Sequence, residues 1–474
     1  MKSLSNQSAA GAWPVTVALL ERWLGRSIRV DALLEGAGRK RPGGLSGEER
    51  ARCQHLLYGA LRNLDRLDAI LGTLMTRPPR ARLRAVLLVS GFELLEAATT
   101  PDGEGPAARI VHHAVGQAKR LLSPAEVRLV NAVLRKLARA PDLHRPAPDA
   151  EAGAAELAWF FSHPVWLVRR WQAQFGAAAT RSLLQWNQTP PPVYGRWRGP
   201  AAPPGWLQAT PWSGFYIVPA GHWPEVERRL ADGALYLQDP ATLMAAELLD
   251  PQPGETVLDL CAAPGGKSLL LADRLEARTF RSGADAPACL PSDLSAAVCR
   301  TKAGLPAVGP AKAGRVVAVD LPDQGRLDRL KENLAKARTT NVALVQADIL
   351  KLAPRLLREH GLPVEYSAVL LDAPCSNTGV MRHRVDVKWR LQEGDIAKHA
   401  GQQLALLTAA ARFVAPGGRL VYSTCSLEAE ENEGVVGAFR QAAGNRFRLE
   451  QTRHGRPWEA GCDGAGVFLL RRNA

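Results

Sequence analysis

The chain has 474 residues, a formal charge of +14 and an ordinary globular composition, 46% apolar and 22% charged. That length exceeds what a single core fills, so two or three domains are expected, and no apolar run approaches the roughly 18 residues of a membrane span. Seven cysteines with no CxxC and no regular spacing exclude a disulfide framework and point to a reducing compartment, the cytoplasm.

The positive charge is uneven. Residues 1–140 hold 22 Lys and Arg against 12 Asp and Glu. A basic segment joined to a near-neutral remainder suggests a polyanionic partner, nucleic acid before a membrane surface, against the plain alternative of charge kept for solubility. The weakly apolar patch from Ala12 to Leu20 is interrupted by Pro14 and ended by Glu21 and Arg22, so no signal peptide is expected.

From Trp13 to about Arg139 the pattern is helical. Ser46 with Glu49, and Ser123 with Pro124 and Glu126, match capping boxes. The second opens a helix with Val127, Val130, Val133, Leu134 and Leu137 on one face and Arg128, Arg135, Lys136 and Arg139 on the other. That basic face fits either plain solvation or contact with RNA. The series Leu57-Tyr58-Gly59-Ala60-Leu61-Arg62, Leu67-Asp68, His113-Ala114-Val115 and Val130-Asn131-Ala132-Val133-Leu134-Arg135 resembles the NusB-type RNA-binding helical domain.

Residues 141–156, rich in Pro and Ala, read as a linker. Phe160, Phe161, Trp166, Trp171 and Phe175 follow, either as a small helical core or as a platform for stacking bases. Residues 193–237 are irregular and predict little. Thereafter strands and helices alternate. Strands are expected at Val257–Leu260, Arg315–Asp320, Val342–Gln346, Ser367–Asp372 and Arg419–Ser423, with helices between, which predicts a doubly wound, mostly parallel sheet. Residues 279–313, with Cys289 and Cys299, lack periodicity and read as an inserted loop.

The first of these strands runs into a glycine turn, Cys261-Ala262-Ala263-Pro264-Gly265-Gly266-Lys267. A Walker A loop would need glycine where Cys261 stands, and GxGxxG is absent. What remains is a turn whose amides can approach a ligand, with acids at the ends of successive strands: Asp259, Asp320, Asp348 and Asp372. Asp320 is placed for a ribose diol, and Asp348 could accept from an adenine amino group. Each acid alone is more often a helix cap. Together they favour a nucleoside ligand without phosphates, such as S-adenosylmethionine. No metal is expected. Lys267 could orient cofactor or RNA phosphate, or could be a solvated first-turn lysine. Cys375 and Cys425 each follow a strand at the same sheet edge. Cysteine is the natural nucleophile for adding to an electron-poor ring carbon, the step that activates C5 of a pyrimidine. Spacing does not say which cysteine attacks.

Cys261–Lys267, Asp372-Ala373-Pro374-Cys375-Ser376 and Tyr422-Ser423-Thr424-Cys425-Ser426 with Glu430, Glu431 and Asn432 resemble the motifs of the Fmu/Sun family of RNA cytosine-C5 methyltransferases. The NusB-like segment narrows the resemblance to the bacterial 16S ribosomal RNA branch, over nearly the whole chain. It implies an all-α NusB-like domain (1–140), a linker (141–156), a small aromatic-rich RNA-binding or connecting region (157–237), and an α/β Rossmann-like class I methyltransferase domain (238–474). It further implies that Cys261, Ala262, Ala263, Pro264, Gly265, Gly266, Lys267, Asp320, Asp348 and Asp372 bind S-adenosylmethionine. Cys425 is implied as the nucleophile on C6, Cys375 as the residue assisting release, and Asp372 as a contact to the base. The expected partner is 16S ribosomal RNA, free or in an assembly intermediate, and the expected state a monomer. Asn377 departs from the family's commoner glycine, and Arg384-Val385-Asp386 from His-Pro-Asp. The rival readings are a C5 methyltransferase for another RNA, an RNA-binding factor with a retired catalytic domain, and a dehydrogenase. The last two fit poorly with the retained Cys425 and Asp320 and the missing GxGxxG.

Overall fold

A computed structural model describes residues 11–26, 28–39, 45–99, 104–281 and 314–474. Most of the insertion expected at 279–313, with Cys289 and Cys299, lies outside the described residues. The chain forms two compact units, Met1–Pro191 with Val380–Glu393, and Pro192–Gly379 with Gly394–Ala474. Among the described residues, no helix is long and apolar enough to cross a membrane.

The first unit is helical: α1 (Ala12–Gly25), α2 (Val30–Arg39), α3 (Gly47–Arg62), α4 (Leu64–Leu74), α5 (Ala81–Ala98), α6 (Glu104–Ala118), α7 (Pro124–Leu137), α8 (Ala154–Phe160), α9 (Val165–Phe175) and α10 (Ala177–Gln188). Both capping boxes form, Ser46 with Glu49 at α3 and Ser123 with Glu126 at α7. Each satisfies two amides that the first helical turn would otherwise leave unpaired. Helix α5 is the axis of this core. Its residues Ala85 to Leu95 are buried on all faces, and the one carboxylate among them, Glu93, accepts from Trp13 Nε1 (3.0 Å) and Arg52 Nη2 (2.9 Å). Gly59 of α3 meets Phe92 of α5 so closely that a Cβ there would lie 2.1 Å from the ring. On α7, Val130, Val133, Leu134 and Leu137 are buried and Arg128, Arg135 and Lys136 are exposed, as is Arg139 in the turn just beyond it.

The aromatic segment builds a core rather than an open platform. Phe161, Leu167 and Trp171 are buried, and Arg66 lays its guanidinium over the Phe160 ring at 4.2 Å. The segment Val380–Glu393 also belongs to this unit, with Val385 in its core. Trp389 Nε1 and Lys388 Nζ donate to the carbonyls of Leu61 (2.8 Å) and Arg62 (2.8 Å), and Arg382 donates to Thr189 and Pro190 while lying 4.0 Å from the Trp186 ring. The last turn of α3 therefore has its free carbonyls capped by side chains more than 300 residues away.

The second unit begins with a small antiparallel sheet, β1 (Val193–Trp197), β2 (Gln208–Ala209), β3 (Phe215–Val218) and β4 (Leu235–Leu237), in the order β2-β3-β1-β4. Strands this short carry no readable alternation, which is why this stretch predicted little. Arg198 fastens the sheet to the helix Gly266–Arg281 through a bidentate pair with Asp273 (2.8 Å for both bonds), and Arg196 joins the same carboxylate.

The main sheet has seven strands, β5 (Thr256–Leu260), β6 (Arg315–Asp320), β7 (Val342–Gln346), β8 (Tyr366–Asp372), β9 (Val414–Thr424), β10 (Phe447–Gly455) and β11 (Ala465–Arg472), in the order β10-β11-β9-β8-β5-β6-β7. Strands β5 to β9 pair in parallel, and β11 and β10 close one edge antiparallel. The parallel strands are covered on both faces, hence their continuous apolar runs. Strand β10 lacks such a run: it is a largely exposed edge strand bearing Arg448, Glu450 and Arg453, charges that discourage pairing with another chain. The chain winds from β5 outward through β6 to β7, then returns to β8 on the other side of β5. Between β5 and β8 the winding reverses, and at such a crevice an open α/β sheet receives its ligand.

Replacing Gly59 with alanine should lower the stability of the helical unit by about 1–3 kcal/mol through overpacking against Phe92. Urea unfolding of Gly59→Ala followed by far-UV circular dichroism measures this, and an unchanged midpoint would contradict the packing.

Candidate active site

The glycine turn leaves β5 at the reversal point. Cys261 takes φ +63° and Gly265 φ +103°, and a cis peptide joins Ala263 to Pro264. A Cβ on Gly265 would come 2.7 Å from Leu330 Cδ1, so both backbone conformation and space require glycine. Asn333 Nδ2 donates to Pro264 O (2.8 Å) and Gln238 Nε2 to Gly266 O (3.0 Å), holding the turn from both sides. Burial, and then the charges of Asp320 and Asp372, push the Cys261 thiol far up, which keeps it protonated and inert.

The strand-end acids have distinct surroundings. Asp259 is fully buried. Its Oδ2 accepts from Ser268 Oγ, and its Oδ1 has no hydrogen-bond partner. Asp320 is buried and saturated: Oδ1 accepts from Leu321 N (2.9 Å) and Arg326 Nε (2.7 Å), and Oδ2 from Ala263 N (2.7 Å) and Arg326 Nη2 (2.9 Å). Asp348 accepts from Leu350 N (3.0 Å), capping the turn Ile349–Lys351. Asp372 pairs with Lys267 Nζ at 2.7 Å. Burial pulls the Lys267 ammonium down, but Asp372 more than offsets this and holds it above its ordinary range. Lys267 is therefore a charged, mostly enclosed residue and no solvated first-turn lysine.

Strands β8 and β9 run side by side, with Asp372 opposite Ser423, so the segments after them leave the sheet together. Cys375 Sγ consequently stands 3.1 Å from Cys425 Sγ. The hydrogen bond to Cys425, then burial, then the nearby charge of Glu431 raise the Cys375 thiol well above its ordinary range. Asn377 has φ +63°, a left-handed conformation that asparagine adopts more readily than most residues other than glycine, so its departure from the family pattern preserves the turn. Its Nδ2 donates to Cys375 O (2.7 Å), and its Oδ1 accepts from Cys425 Sγ (3.4 Å). Gly379 N donates to Cys425 O (3.0 Å), and a Cβ at Gly379 would lie 2.8 Å from that oxygen.

Beneath the two loops lies Glu431, fully buried on a π turn, Glu430–Gly434. Its Oε2 accepts from Ser376 N (2.9 Å) and Gln403 Nε2 (2.8 Å), and its Oε1 from Ser426 Oγ (2.8 Å). Asn432 accepts from Thr424 Oγ1 (2.7 Å) and donates to Ser426 O (3.0 Å). Thus the residue after each cysteine is bonded to one carboxylate. The structure brings Lys267, Asp372, Cys375 and Cys425 together, with the glycine turn and Asp259 and Asp320 on the adjacent strands. Asp348 ends β7's loop two strands from β5. Arg326, Asn377, Gln403 and Glu431 have functional positions that their residue types alone did not assign. For Asn377 the signal was present, since asparagine in place of glycine marks a left-handed residue.

Burial pushes the Asp259 carboxyl up to about 7, against the bond from Ser268 and with a further upward push from Asp372. Between its unfolded value, about 4, and about 7, the folded chain keeps a proton that the unfolded chain loses. The group's contribution to stability is therefore complete below about 4 and gone above about 7. The stability of the wild type minus that of Asp259→Asn should fall as pH rises through this window and level off above it. Urea midpoints of both proteins across pH measure this, and parallel curves would refute the burial effect.

Comparison with known proteins agrees with this geometry. The NusB family profile matches residues 17–139, and that of 16S rRNA methyltransferase RsmB/F matches residues 293–463. Ribosomal RNA small subunit methyltransferase B of Serratia proteamaculans (strain 568) is 30% identical over 447 residues, covering 90% of this chain and 91% of the relative. The protein of the same name from Salmonella typhi is 29% identical over 446 residues, with 90% and 91% covered. Among solved structures, that of PH0851 superposes with a TM-score of 0.68 at 21% identity, covering 98% of this chain and all of the other. NSun6 from Pyrococcus horikoshii, solved with SFG, gives a TM-score of 0.50 at 19% identity, covering 66% of this chain and 98% of the other. These two structures speak to the fold. Taken with the sequence relatives, they lead to the conclusion that the chain belongs to the RsmB/F family of 16S rRNA methyltransferases, a NusB helical domain joined to a class I methyltransferase domain.

Proposed function

We propose that this protein methylates C5 of a cytosine in 16S ribosomal RNA, using S-adenosylmethionine and a covalent adduct between Cys425 and C6 of the base. The observation that carries this reading is the pair of thiols 3.1 Å apart beside the Lys267–Asp372 pair, at the carboxyl edge of a parallel sheet. Methylation of an exocyclic amine or a ribose hydroxyl requires no thiol. C5 of cytosine is barely nucleophilic until a nucleophile adds at C6, and a thiolate is the side chain suited to that addition.

The residues present fit the cofactor. Asp259 Oδ1, on the strand that runs into the glycine turn, is a buried acceptor without a partner. The residues from Cys261 to Lys267 would hold it at the turn, Asp348 at the adenine, and Asp320 at the ribose once the ribose hydroxyls replace the Arg326 bonds that now occupy its oxygens. S-adenosylmethionine, when bound there, supplies the methyl group. A related fold, NSun6 from Pyrococcus horikoshii, was solved with SFG, an analogue of that cofactor, which supports the assignment.

The chain's own groups divide the remaining work. Lys267 interacts electrostatically with Cys425, and a cation beside a thiol favours its thiolate. Cys425 Sγ forms a bond to C6, which makes C5 nucleophilic. Asp372, held in place by Lys267, would stabilise the protonated edge of the ring during that addition. After methyl transfer the C5 proton passes to water, its bonding pair re-forms the C5–C6 double bond, and the C6–S bond breaks with its electrons returning to Cys425 as thiolate. Cys375, protonated and adjacent to the reacting sulfur, is placed to assist this release. The exposed basic face of α7 would meet RNA phosphates, and the target base would be turned out of its stack to reach the thiols.

Two substitutions separate the roles. Cys425→Ala should lower methyl transfer to ribosomal RNA about a thousandfold or more, while calorimetric titration shows unchanged cofactor affinity. Substantial turnover would remove Cys425 from the nucleophile's role. Cys375→Ala should accumulate a protein–RNA adduct, seen as a retarded band on a denaturing gel. If that variant turns over freely without an adduct, Cys375 has no part in release. Bisulfite sequencing of the product RNA distinguishes C5 of cytosine from any other position.

A further inference from the structure

Three features outside the proposed chemistry stand out. A cavity of about 810 Å³ lies among α5, α6 and α7, walled by alanines and by Arg135 and Arg139, but nothing in it selects one ligand. Arg326 saturates Asp320, without a geometry that says where it goes when a ligand arrives. The Glu431 network is different, because it acts on both reactive cysteines at once.

We propose that Glu431 is a positioning residue that sets the separation of the two reactive thiols, by bonding the residue after each cysteine to a single carboxylate. Cys375 and Cys425 are 50 residues apart, on separate loops. Beyond the strand pairing, what ties the loops together is a set of short polar bonds. Glu431 Oε2 takes the amide of Ser376, and Oε1 takes the hydroxyl of Ser426. Ser426 Oγ is also 3.1 Å from Ser376 Oγ and 3.3 Å from Thr378 Oγ1, and it accepts from Glu428 N at 3.1 Å. Gln403 braces the carboxylate and also donates to Pro374 O (2.9 Å), one residue before Cys375. Tyr422 donates its hydroxyl to Glu431 O (2.6 Å), which ties the π turn to β9 itself. None of these groups touches either sulfur, yet each sulfur is one residue from the clamp.

The bonding pattern distinguishes a clamp from a charge. A glutamine at 431 can place its oxygen where Oε2 lies, to accept from Ser376 N and Gln403, and its amide where Oε1 lies, to donate to Ser426 Oγ. That hydroxyl can then donate to Ser376 or Thr378. Every bond survives and only the charge is lost. Alanine removes the three bonds made by the carboxylate and leaves the buried Ser376 amide unpaired.

This proposal rests on the two-cysteine reading, so its test includes a measurement that needs no RNA. Diamide oxidises two neighbouring thiols to a disulfide while it is itself reduced to the hydrazine, and the rate reports how closely the sulfurs are held. Peptide mapping of the intact protein should show rapid Cys375–Cys425 disulfide formation in the wild type and in Glu431→Gln. Formation should be at least about tenfold slower in Glu431→Ala. In methyl transfer, Glu431→Gln should stay within about threefold of wild type. Glu431→Ala should lose about a hundredfold in kcat, as expected for a misplacement near 1 Å, with the KM for cofactor unchanged. Should Glu431→Ala fail to fold, Ser426→Ala releases the Cys425 loop alone and should slow disulfide formation in the same direction. The proposal is overturned if Glu431→Gln loses as much kcat as Glu431→Ala. It is also overturned if the disulfide forms at the wild-type rate in the alanine variants. If diamide obeys these expectations while Cys425→Ala still methylates RNA, the clamp stands and the nucleophile assignment falls.

Discussion

The parallel pairing of β8 with β9 is the constraint on which the rest of the site depends. With Asp372 opposite Ser423, two chain segments 50 residues apart leave the sheet at neighbouring points and in the same direction. The sheet alone brings their loops to within a few residues of each other. Closing the last distance, to 3.1 Å between sulfurs, falls to the buried bonds of Glu431, Asn432, Ser376 and Ser426. A backbone ladder does the coarse placement and a polar cluster the fine one. A buried network of this kind is stable only because nearly every member is satisfied.

Charge is the second organising element. Asp259, Asp320 and Asp372 crowd one edge of three adjacent strands, like charges brought close together in a partly buried site. The chain answers each differently. Asp372 is paired with Lys267, Asp320 with Arg326 and two amides, and Asp259 is buried with a raised carboxyl and one empty acceptor. The three acids are thus chemically unequal despite their similar positions. Such inequality is what a site needs if one acid is to bind and another to act on a base.

The helical unit shows how a segment distant in sequence can complete a local structure. Helix α3 ends at Arg62, and the carbonyls of Leu61 and Arg62 take side-chain donors from Trp389 and Lys388, with Gln188 also donating to Arg62 O. Burial drives the Lys388 ammonium well below its ordinary range, with the Arg62 charge adding to the effect. Its hydrogen bond to a carbonyl is what makes the position tolerable. The Arg384-Val385-Asp386 departure lies in this same segment, where Val385 packs in the helical core and Asp386 pairs with Arg390 at 2.9 Å. Its local role is packing and an ion pair, within the helical unit.

Much of the architecture was legible in the residues themselves. Capping boxes at Ser46 and Ser123, the buried stripe of α7, the five parallel strands and the glycine turn all follow from local rules of hydrogen bonding and periodicity. The family was legible by resemblance instead, because its motifs are short runs of residues that can be compared directly with those of known members. The small sheet of β1 to β4 was not legible, since strands of two to five residues carry too few positions to alternate, and the exposed edge strand β10 was hidden by its charges. What only the tertiary structure decided concerns pairs of residues far apart in the chain: Lys267 with Asp372, Arg326 on the acid Asp320, Glu431 under both cysteine loops, and Val380–Glu393 packed in the helical unit. Sequence determines such partners only through the fold, because a charge or a thiol acquires its chemistry from whatever the completed packing places within a few ångströms of it.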